Sequence, residues 1–152
     1  MDGIETTEIT DPIYMYRVPM FMLTVSVVLV AENGVILVNE DGKYKIPHGI
    51  VRAAQETIQF AAVRHVKEQI GIVLKKDSLI PVDFRSDPER SKSGNIVDIG
   101  FVCMVDKDEE IKNGKWVEVD FENKCLNKKK EMYMDQDILL ARAIEYVLVM
   151  KE

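Results

Sequence analysis

The chain has 152 residues, enough for one domain with a sizeable core, and its 47% hydrophobic and 30% charged residues are typical of a soluble globular protein. A net charge of −6 argues against a large nucleic-acid interface, which usually needs a basic face, but is compatible with a small phosphate ligand. Two cysteines are too few for a disulfide framework. The polar N-terminus is unlike a secretory signal, and the apolar run Phe21–Val30 is too short to span a bilayer. These features predict a cytoplasmic protein with neither a nucleic-acid nor a membrane partner.

Residues 1–19 are predicted to form a lead segment and residues 20–152 a single domain. The predicted elements are, in order, strands at Phe21–Val30, Val35–Val38 and Lys43–Ile46, a helix ending before Gly71, strands at Leu79–Phe84, Ile96–Val105 and Lys115–Asp120, and a helix over Gln136–Met150. This β-β-β-α-β-β-β-α order predicts an α/β sandwich, in which a mixed sheet lies between helices. The inner stripe of the last helix is predicted to be Leu139, Ala143, Val147 and Met150.

The first predicted helix lies in the stretch GKYKIPHGIVRAAQETIQFAAVRHVKEQIGI, which spans Gly42–Ile72. Gly71 is a typical C-terminal stop, because glycine readily accepts the left-handed backbone conformation. At about 100° per residue, one side of this helix carries Val63, Val66 and Ile70. The opposite side carries Ala61, Arg64, His65 and Glu68. We therefore expect one side to pack on the core and the other to present polar groups beside a small residue.

This stretch resembles the signature of the Nudix hydrolase family, G-x5-E-x7-R-E-U-x-E-E-x-G-U, where U is aliphatic. The matching positions are Glu56, Arg64, Val66, Glu68 and Gly71-Ile72. The departing positions are Ile50 in place of the leading glycine, His65 in place of the glutamate after the arginine, and Gln69 in place of the last glutamate. The resemblance implies the Nudix α/β/α fold with a degenerate signature.

Two further segments are similar to the ADP-ribose-hydrolysing branch of that family and its regulatory relatives. SDPERSKSGNIVDIGFVCMV is similar to a loop, SDPDRDPRG, that precedes an apolar strand in that branch. MDQDILLARAIEYV is similar to its closing helix, which typically opens with an Asp-His pair, whereas this chain has Gln136 at the histidine position. The resemblance extends over about residues 20–150.

The resemblance implies hydrolysis of a nucleoside diphosphate linked to another moiety, with Mg²⁺ or Mn²⁺ as the cofactor. Glu68 and Arg64 are then the candidate catalytic residues, and Glu56, Glu68 and His65 the candidate metal ligands. Hard cations prefer carboxylate oxygen, so the two replaced glutamates predict a weakened metal site. Alternatively, His65 and Glu68 form an exposed hydrogen-bonded pair.

His48, in the turn before the helix, and Arg90, in the polar loop, are the candidate substrate-binding residues, although solvated loop side chains would look the same. Two functions follow from the resemblance. One is an ADP-ribose-like hydrolase with weak or altered activity; the other is a catalytically inactive nucleotide-binding or regulatory module. The family also suggests a homodimer.

Overall fold

The computed structural model describes residues 21–52, 54–92, 95–128 and 132–151, so the predicted lead segment lies outside the described residues. The strands are β1 (Met22–Ala31), β2 (Gly34–Glu40), β3 (Lys43–Lys45), β4 (His48–Ile50), β5 (Ile80–Arg85), β6 (Ile96–Met104), β7 (Gly114–Asp120) and β8 (Cys125–Leu126). The helices are α1 (Ile58–Ile70) and α2 (Gln136–Met150), with 3₁₀ turns at Lys76–Ser78 and Pro88–Arg90. Strands β4 and β8 were absent from the sequence-based prediction.

The sheet is mixed, as predicted. Its order is β5-β6-β1-β2-β7-β8, with β3 paired to β2 and β4 paired to β1. Strands β1 and β6 run parallel, and the other paired strands run antiparallel. On β1, Thr24 lies between Asp98 of β6 and Ile50 of β4, and Ser26 is paired with His48. This register brings polar side chains from three strands to one face of the sheet.

Alternation along β1 separates the core into two layers, because successive side chains of a strand point to opposite faces. Val25, Val27 and Leu29 belong to the cluster that also holds the buried side chains of α1. Val28 and Val30 belong to the cluster that holds the buried side chains of α2. The sheet therefore lies between the two helices, which confirms the predicted α/β/α sandwich.

Helix α1 ends before Gly71, as predicted, and it begins at Ile58. The hydroxyl of Thr57 accepts a hydrogen bond from the backbone N–H of Phe60, and Gly71 follows the helix with a φ of 89°. The prediction that Ala61 lies on the polar side was wrong, because this residue is fully buried in the core. The small side chain of Ala61 lets helix α1 pack closely on the sheet.

Helix α2 packs on the opposite face through Leu139, Ala143 and Val147, as predicted. Met150 was also predicted to face inward, but its side chain is 65% exposed. It is the last residue of the helix, beyond Val147 and Leu148, which still contact the core. In the described part of the chain, no helix combines the length and apolar character needed to cross a membrane.

Candidate functional site

Glu56 and Arg64 form a closely hydrogen-bonded ion pair at the start of α1. Arg64 donates from Nε to Oε2 of Glu56 at 2.9 Å and from Nη2 to Oε1 at 2.7 Å. The backbone N–H of Arg52 also donates to Oε1 at 2.9 Å. These donors, chiefly the Arg64 guanidinium, lower the pKa of Glu56 to about 2, and Glu56 in turn raises the pKa of Arg64. Through these bonds Glu56 connects the backbone at Arg52, which precedes the helix, with Arg64 of α1.

His65 contacts strand β4 at close range. Its Nε2 lies 2.8 Å from the carbonyl oxygen of Ile50, which also accepts from Nη2 of Arg64 at 3.2 Å. A Cβ added at Gly49 would overlap the imidazole ring, so the glycine leaves the space that His65 fills. The histidine at this signature position therefore packs against the backbone of β4.

Gln69 binds the same strand through both ends of its amide. Its Nε2 donates to the carbonyl of His48 at 2.6 Å, and its Oε1 accepts from the N–H of His48 at 3.2 Å. This double hydrogen bond satisfies donor and acceptor together, which a carboxylate at this position could not do. His65 and Gln69, at the two signature positions without a glutamate, thus both hold β4 against α1.

Glu68 is the most accessible carboxylate of this region, with a side chain that is 55% exposed. Nη1 of Arg64 lies 3.5 Å from each of its oxygens. Among the described residues, no three His, Cys, Asp or Glu side chains are grouped so that they could hold a metal ion. With Glu56 bonded to Arg64 and His65 against the carbonyl of Ile50, the donor set of Glu56, His65 and Glu68 does not fit a divalent-cation centre of the kind the resemblance implies.

The two candidate substrate-binding residues lie together on the other side of β4. They line a cavity of about 170 Å³, which we call the Asp98 cavity. Its lining includes Thr24, Ser26, His48, Arg90, Asp98, Tyr133 and Gln136. Asp98 is 3% exposed, and its Oδ1 accepts hydrogen bonds from Thr24 Oγ1 at 2.6 Å and Ser26 Oγ at 3.0 Å. Burial raises the pKa of Asp98, against the lowering effect of the two hydroxyls.

His48 forms one wall of this cavity. Its ring stacks on Tyr133, with centroids 5.0 Å apart and an interplanar angle of 29°. Its Nδ1 lies 3.2 Å from the carbonyl oxygen of Ile46 and 3.4 Å from Nε2 of Gln136. Burial lowers the pKa of His48, which favours the neutral ring at neutral pH. The side chain is therefore positioned as a flat, uncharged surface.

Arg90 is held in place by Asp135, the residue before α2. Its Nε and Nη2 donate to the two carboxylate oxygens of Asp135, each at 2.9 Å. Arg85 donates to Oδ2 of the same carboxylate, while its Nη1 is buried with no hydrogen-bond partner among the described residues. Arg90 therefore reaches the Asp98 cavity on a fixed, 8% exposed side chain rather than as a solvated loop residue.

A larger open groove of about 550 Å³, here called the Glu68 groove, adjoins the cavity, since His48 lines both. Glu68, Gln69 and Lys45 also line it. The ammonium of Lys45 lies 2.6 Å from Glu40 and 5.4 Å from the centroid of the Tyr133 ring. His48 is therefore shared by the groove and the cavity, and its stacking partner Tyr133 lines the cavity.

Sequence reasoning missed several residues of this region, namely Thr24, Ser26, Lys45, Asp98 and Tyr133. Thr24 and Ser26 alternate with valines in β1, and Asp98 interrupts the apolar run of β6. Polar residues at alternating positions of apolar strands mark one polar patch on a buried face. That signal could have identified Thr24, Ser26 and Asp98, but it could not show that these three side chains are in contact.

Comparison with known proteins supports a specific family. A family model described as NUDIX domain matches residues 20–137. An ADP-ribose pyrophosphatase of Methanocaldococcus jannaschii is 32% identical over 79 residues, which is 49% of this chain and 45% of that protein. The matched part thus spans less than half of that relative.

Solved structures show the same fold at low sequence identity. A MutT/nudix family protein from Enterococcus faecalis has a TM-score of 0.73 at 17% identity, over 95% of this chain and 70% of that one. The NUDIX domain of Shewanella oneidensis NrtR, solved with ADP ribose, has a TM-score of 0.69 at 16% identity, over 91% of this chain and 99% of that one.

Proposed function

The chain belongs to the NUDIX family, and we propose that it binds a nucleoside diphosphate linked to a sugar, of the ADP-ribose type, without efficient metal-dependent hydrolysis. This proposal rests on the contacts of the residues at the two altered signature positions. Nε2 of His65 lies against the carbonyl of Ile50, and the amide of Gln69 is hydrogen-bonded to the backbone of His48. A ligand-binding surface is retained, whereas the set of carboxylates that a hard cation needs is not.

The type of ligand is supported by two relatives. The relative that is 32% identical is described as an ADP-ribose pyrophosphatase, and the NrtR domain was solved with ADP ribose. The groove beside Glu68 and Lys45 has room for a diphosphate, and its cation is Lys45, which is paired with Glu40 at 2.6 Å. The sugar-linked diphosphate is therefore the first ligand to test.

A second candidate function is the hydrolase itself, acting with a reduced set of ligands. It is favoured by Glu68, which is more than half exposed, lines the Glu68 groove and lies 3.5 Å from Arg64. In that case Glu68 and Arg64 would act as the catalytic residues, and Glu56, Glu68 and His65 would hold Mg²⁺ or Mn²⁺, which would neutralise phosphate charge. This arrangement requires His65 to leave the Ile50 carbonyl.

Calorimetric binding of ADP-ribose, with EDTA and with Mg²⁺ or Mn²⁺, should be paired with assays of product release from a panel of nucleoside diphosphate derivatives. We expect saturable binding that EDTA does not abolish, and turnover at least about a thousandfold below the common enzyme value of about 10 s⁻¹. Glu68→Gln should then bind like the unmodified protein. Glu109→Gln, an exposed change in the turn after β6, is the matched control.

Metal-dependent turnover in the ordinary range, lost in Glu68→Gln and kept in Glu109→Gln, would overturn the binding proposal in favour of the hydrolase. Failure to bind any derivative under any of these conditions would overturn both functions.

A further inference from the structure

The apolar layer on the α1 side of the sheet is open at one corner. Phe101 and Cys103 of β6 belong to this layer and are buried, whereas Ile99 and Val97, earlier on the same side of the strand, are only half-buried. Helix α1, which covers the layer, packs on β1 and β4. The cover of the layer therefore ends part-way along β6.

Five apolar side chains form this open corner, which we call the Phe84 face: Phe21, Leu23, Phe84, Val97 and Ile99. Leu23 of β1 is paired with Val97, and Phe84 of β5 is paired with Ile99. Paired residues of neighbouring strands share one side of the sheet, and Phe21, two positions before Leu23, continues that side. Phe84 is 68% and Phe21 66% exposed. A contiguous exposed apolar patch of this kind indicates a docking surface.

The edge of the sheet beside the Phe84 face is unsuited to pairing with another strand. β5 is the edge strand, and its register with β6 shifts between Pro81 and Asp83. Proline has no N–H to donate, and a bulge interrupts the ladder. An occupant of the face therefore contacts it through side chains. This argues against a second copy that extends the sheet edge to edge.

The chain that leads into β1 reaches the sheet at this face. Phe21 is the first residue that the structure describes, and it belongs to the face. The N–H of Met22 donates to the carbonyl of Asn95, just before β6, at 2.8 Å. Twenty residues precede Phe21 in the sequence. The segment with the shortest path to the face is therefore the one that ends at residue 20.

The composition of this lead segment changes along its length. Residues 1–12 carry four acidic and no basic side chains, whereas six of the eight residues 13–20 are hydrophobic. Alternate positions of the second stretch are all apolar or aromatic, namely Tyr14, Tyr16, Val18 and Met20. Eight extended residues reach about 26 Å, whereas the three strands of the face span only about 10 Å. Residues 13–20 therefore match the face in character and can cross it.

We propose that residues 13–20 of the same chain dock on the Phe84 face and close the apolar layer on the α1 side. Covalent attachment at Phe21 favours this occupant, because it gives the segment an effective concentration of millimolar order, far above that of a second copy in dilute solution. None of the five residues of the face lines the Asp98 cavity or the Glu68 groove. The inference is therefore independent of the proposed function.

The test is a double-mutant cycle on the full chain, measured by urea unfolding. Phe84→Thr removes the exposed ring but keeps a strand-forming residue. The second variant, Tyr14→Ser with Tyr16→Ser, changes the segment, and a third variant combines both changes. Met150→Thr, at a 65% exposed position on the other side of the sheet, and Ile9→Ser, in the acidic stretch, are the controls. Circular dichroism reports whether each variant folds.

We expect Phe84→Thr and the double-tyrosine variant each to raise the unfolding equilibrium constant at least about tenfold, as loss of a buried large apolar side chain does. The combined variant should show far less than the product of the two effects, because both changes remove one contact. The controls should change the constant by less than about threefold, as surface substitutions do. The values should not depend on protein concentration over about a hundredfold range, since the contact lies within one chain.

An effect of Phe84→Thr no larger than that of Met150→Thr would show that the face is open to solvent and would overturn the inference. Two effects that multiply fully in the combined variant would also overturn it, because the segment and the face would then act separately. Stability that rises with protein concentration, and loses this dependence in Phe84→Thr, would place a second copy on the face and overturn the contact within one chain.

Discussion

Glu56 keeps the position of a family glutamate, and both of its carboxylate oxygens accept hydrogen bonds. Arg64 and the N–H of Arg52 stabilise its ionised form, which lowers its pKa from 4.5 to about 2. A carboxyl whose pKa is lower in the folded chain adds stability above its unfolded pKa. That contribution is lost as the pH falls through the folded pKa.

We therefore expect Glu56→Gln to lower the free energy of unfolding at pH 7, and the deficit to shrink as the pH falls from 4.5 towards 2. Urea unfolding of both proteins at a series of pH values between 7 and 3 measures this difference. Glu109→Gln, at an exposed turn, should show no comparable deficit at pH 7. A deficit that is constant across the whole pH range would contradict the ion pair as its source.

His65 and Gly49 are matched to each other at the residue scale. The imidazole occupies the space that a Cβ at position 49 would need. The sequence shows a displaced glycine and a replaced glutamate as two separate departures from the family signature. In the structure the two positions are in contact, because the ring of His65 fills the space left by Gly49, which has no side chain.

The residues that sequence reasoning did not find are those whose role depends on distant partners. Asp98 meets Thr24 across 74 positions and Ser26 across 72. Gln136 meets Ile46 across 90 positions. Periodicity and spacing along one segment cannot identify such pairs, because the parallel pairing of β1 with β6 and the placement of α2 bring them together. By contrast, Glu56, Arg64 and Glu68 were found because they belong to one local pattern.

Strand β4 is short, and side chains of helix α1 help to hold it in place. It has three residues, paired with β1, and side chains of α1 also contact its backbone. Gln69 binds both backbone groups of His48, and His65 lies against the carbonyl of Ile50. These side chains fix the strand that carries His48 into the candidate site.

Gln69→Glu should therefore destabilise β4, although it restores a family glutamate. The change keeps an acceptor for the N–H of His48 but places a carboxylate oxygen against the carbonyl of His48, where the amide now donates. Losing that hydrogen bond and facing two acceptors should cost about 1–3 kcal/mol. Native-state hydrogen exchange should show faster exchange at the amide of His48, with little change in the centre of α2.

Gln69→Ala separates loss of the hydrogen bonds from repulsion, and it should be destabilising to a smaller extent. Unchanged exchange at His48 in both variants would show that Gln69 does not hold the strand.

The element-scale prediction succeeded where local chemistry decides. The stop of α1 at Gly71 follows from backbone preferences, because glycine accepts the left-handed conformation. It failed at Ala61 and Met150, because an ideal helical projection assigns every position a side without knowing where the sheet lies. Ala61 faces the sheet closely, whereas Met150 lies beyond the last residues that pack on it.

At the scale of the whole molecule, the sandwich places two kinds of surface on either side of β4. The face towards α1 carries the remains of the family signature, and the face towards α2 carries the Asp98 cavity. His48 connects them, because it belongs to β4 and lines both the cavity and the Glu68 groove. A ligand that spans both should therefore stabilise the folded chain as a unit.

This coupling predicts the response of global stability to ligand and to metal. ADP-ribose at about 100 times its dissociation constant should stabilise the fold by about 2.7 kcal/mol, because it binds the folded state alone. For a chain of this size that corresponds to a rise in Tm of about 5–10 °C.

We expect the rise to be the same in EDTA and in Mg²⁺, and Mg²⁺ alone to leave Tm unchanged, since the described donor groups do not form a cation site. Differential scanning fluorimetry of the unmodified protein, with and without ADP-ribose, provides the measurement. A rise that requires Mg²⁺, or a rise produced by Mg²⁺ alone, would show that Glu68 and its neighbours rearrange into a metal site and that the binding-only function is wrong.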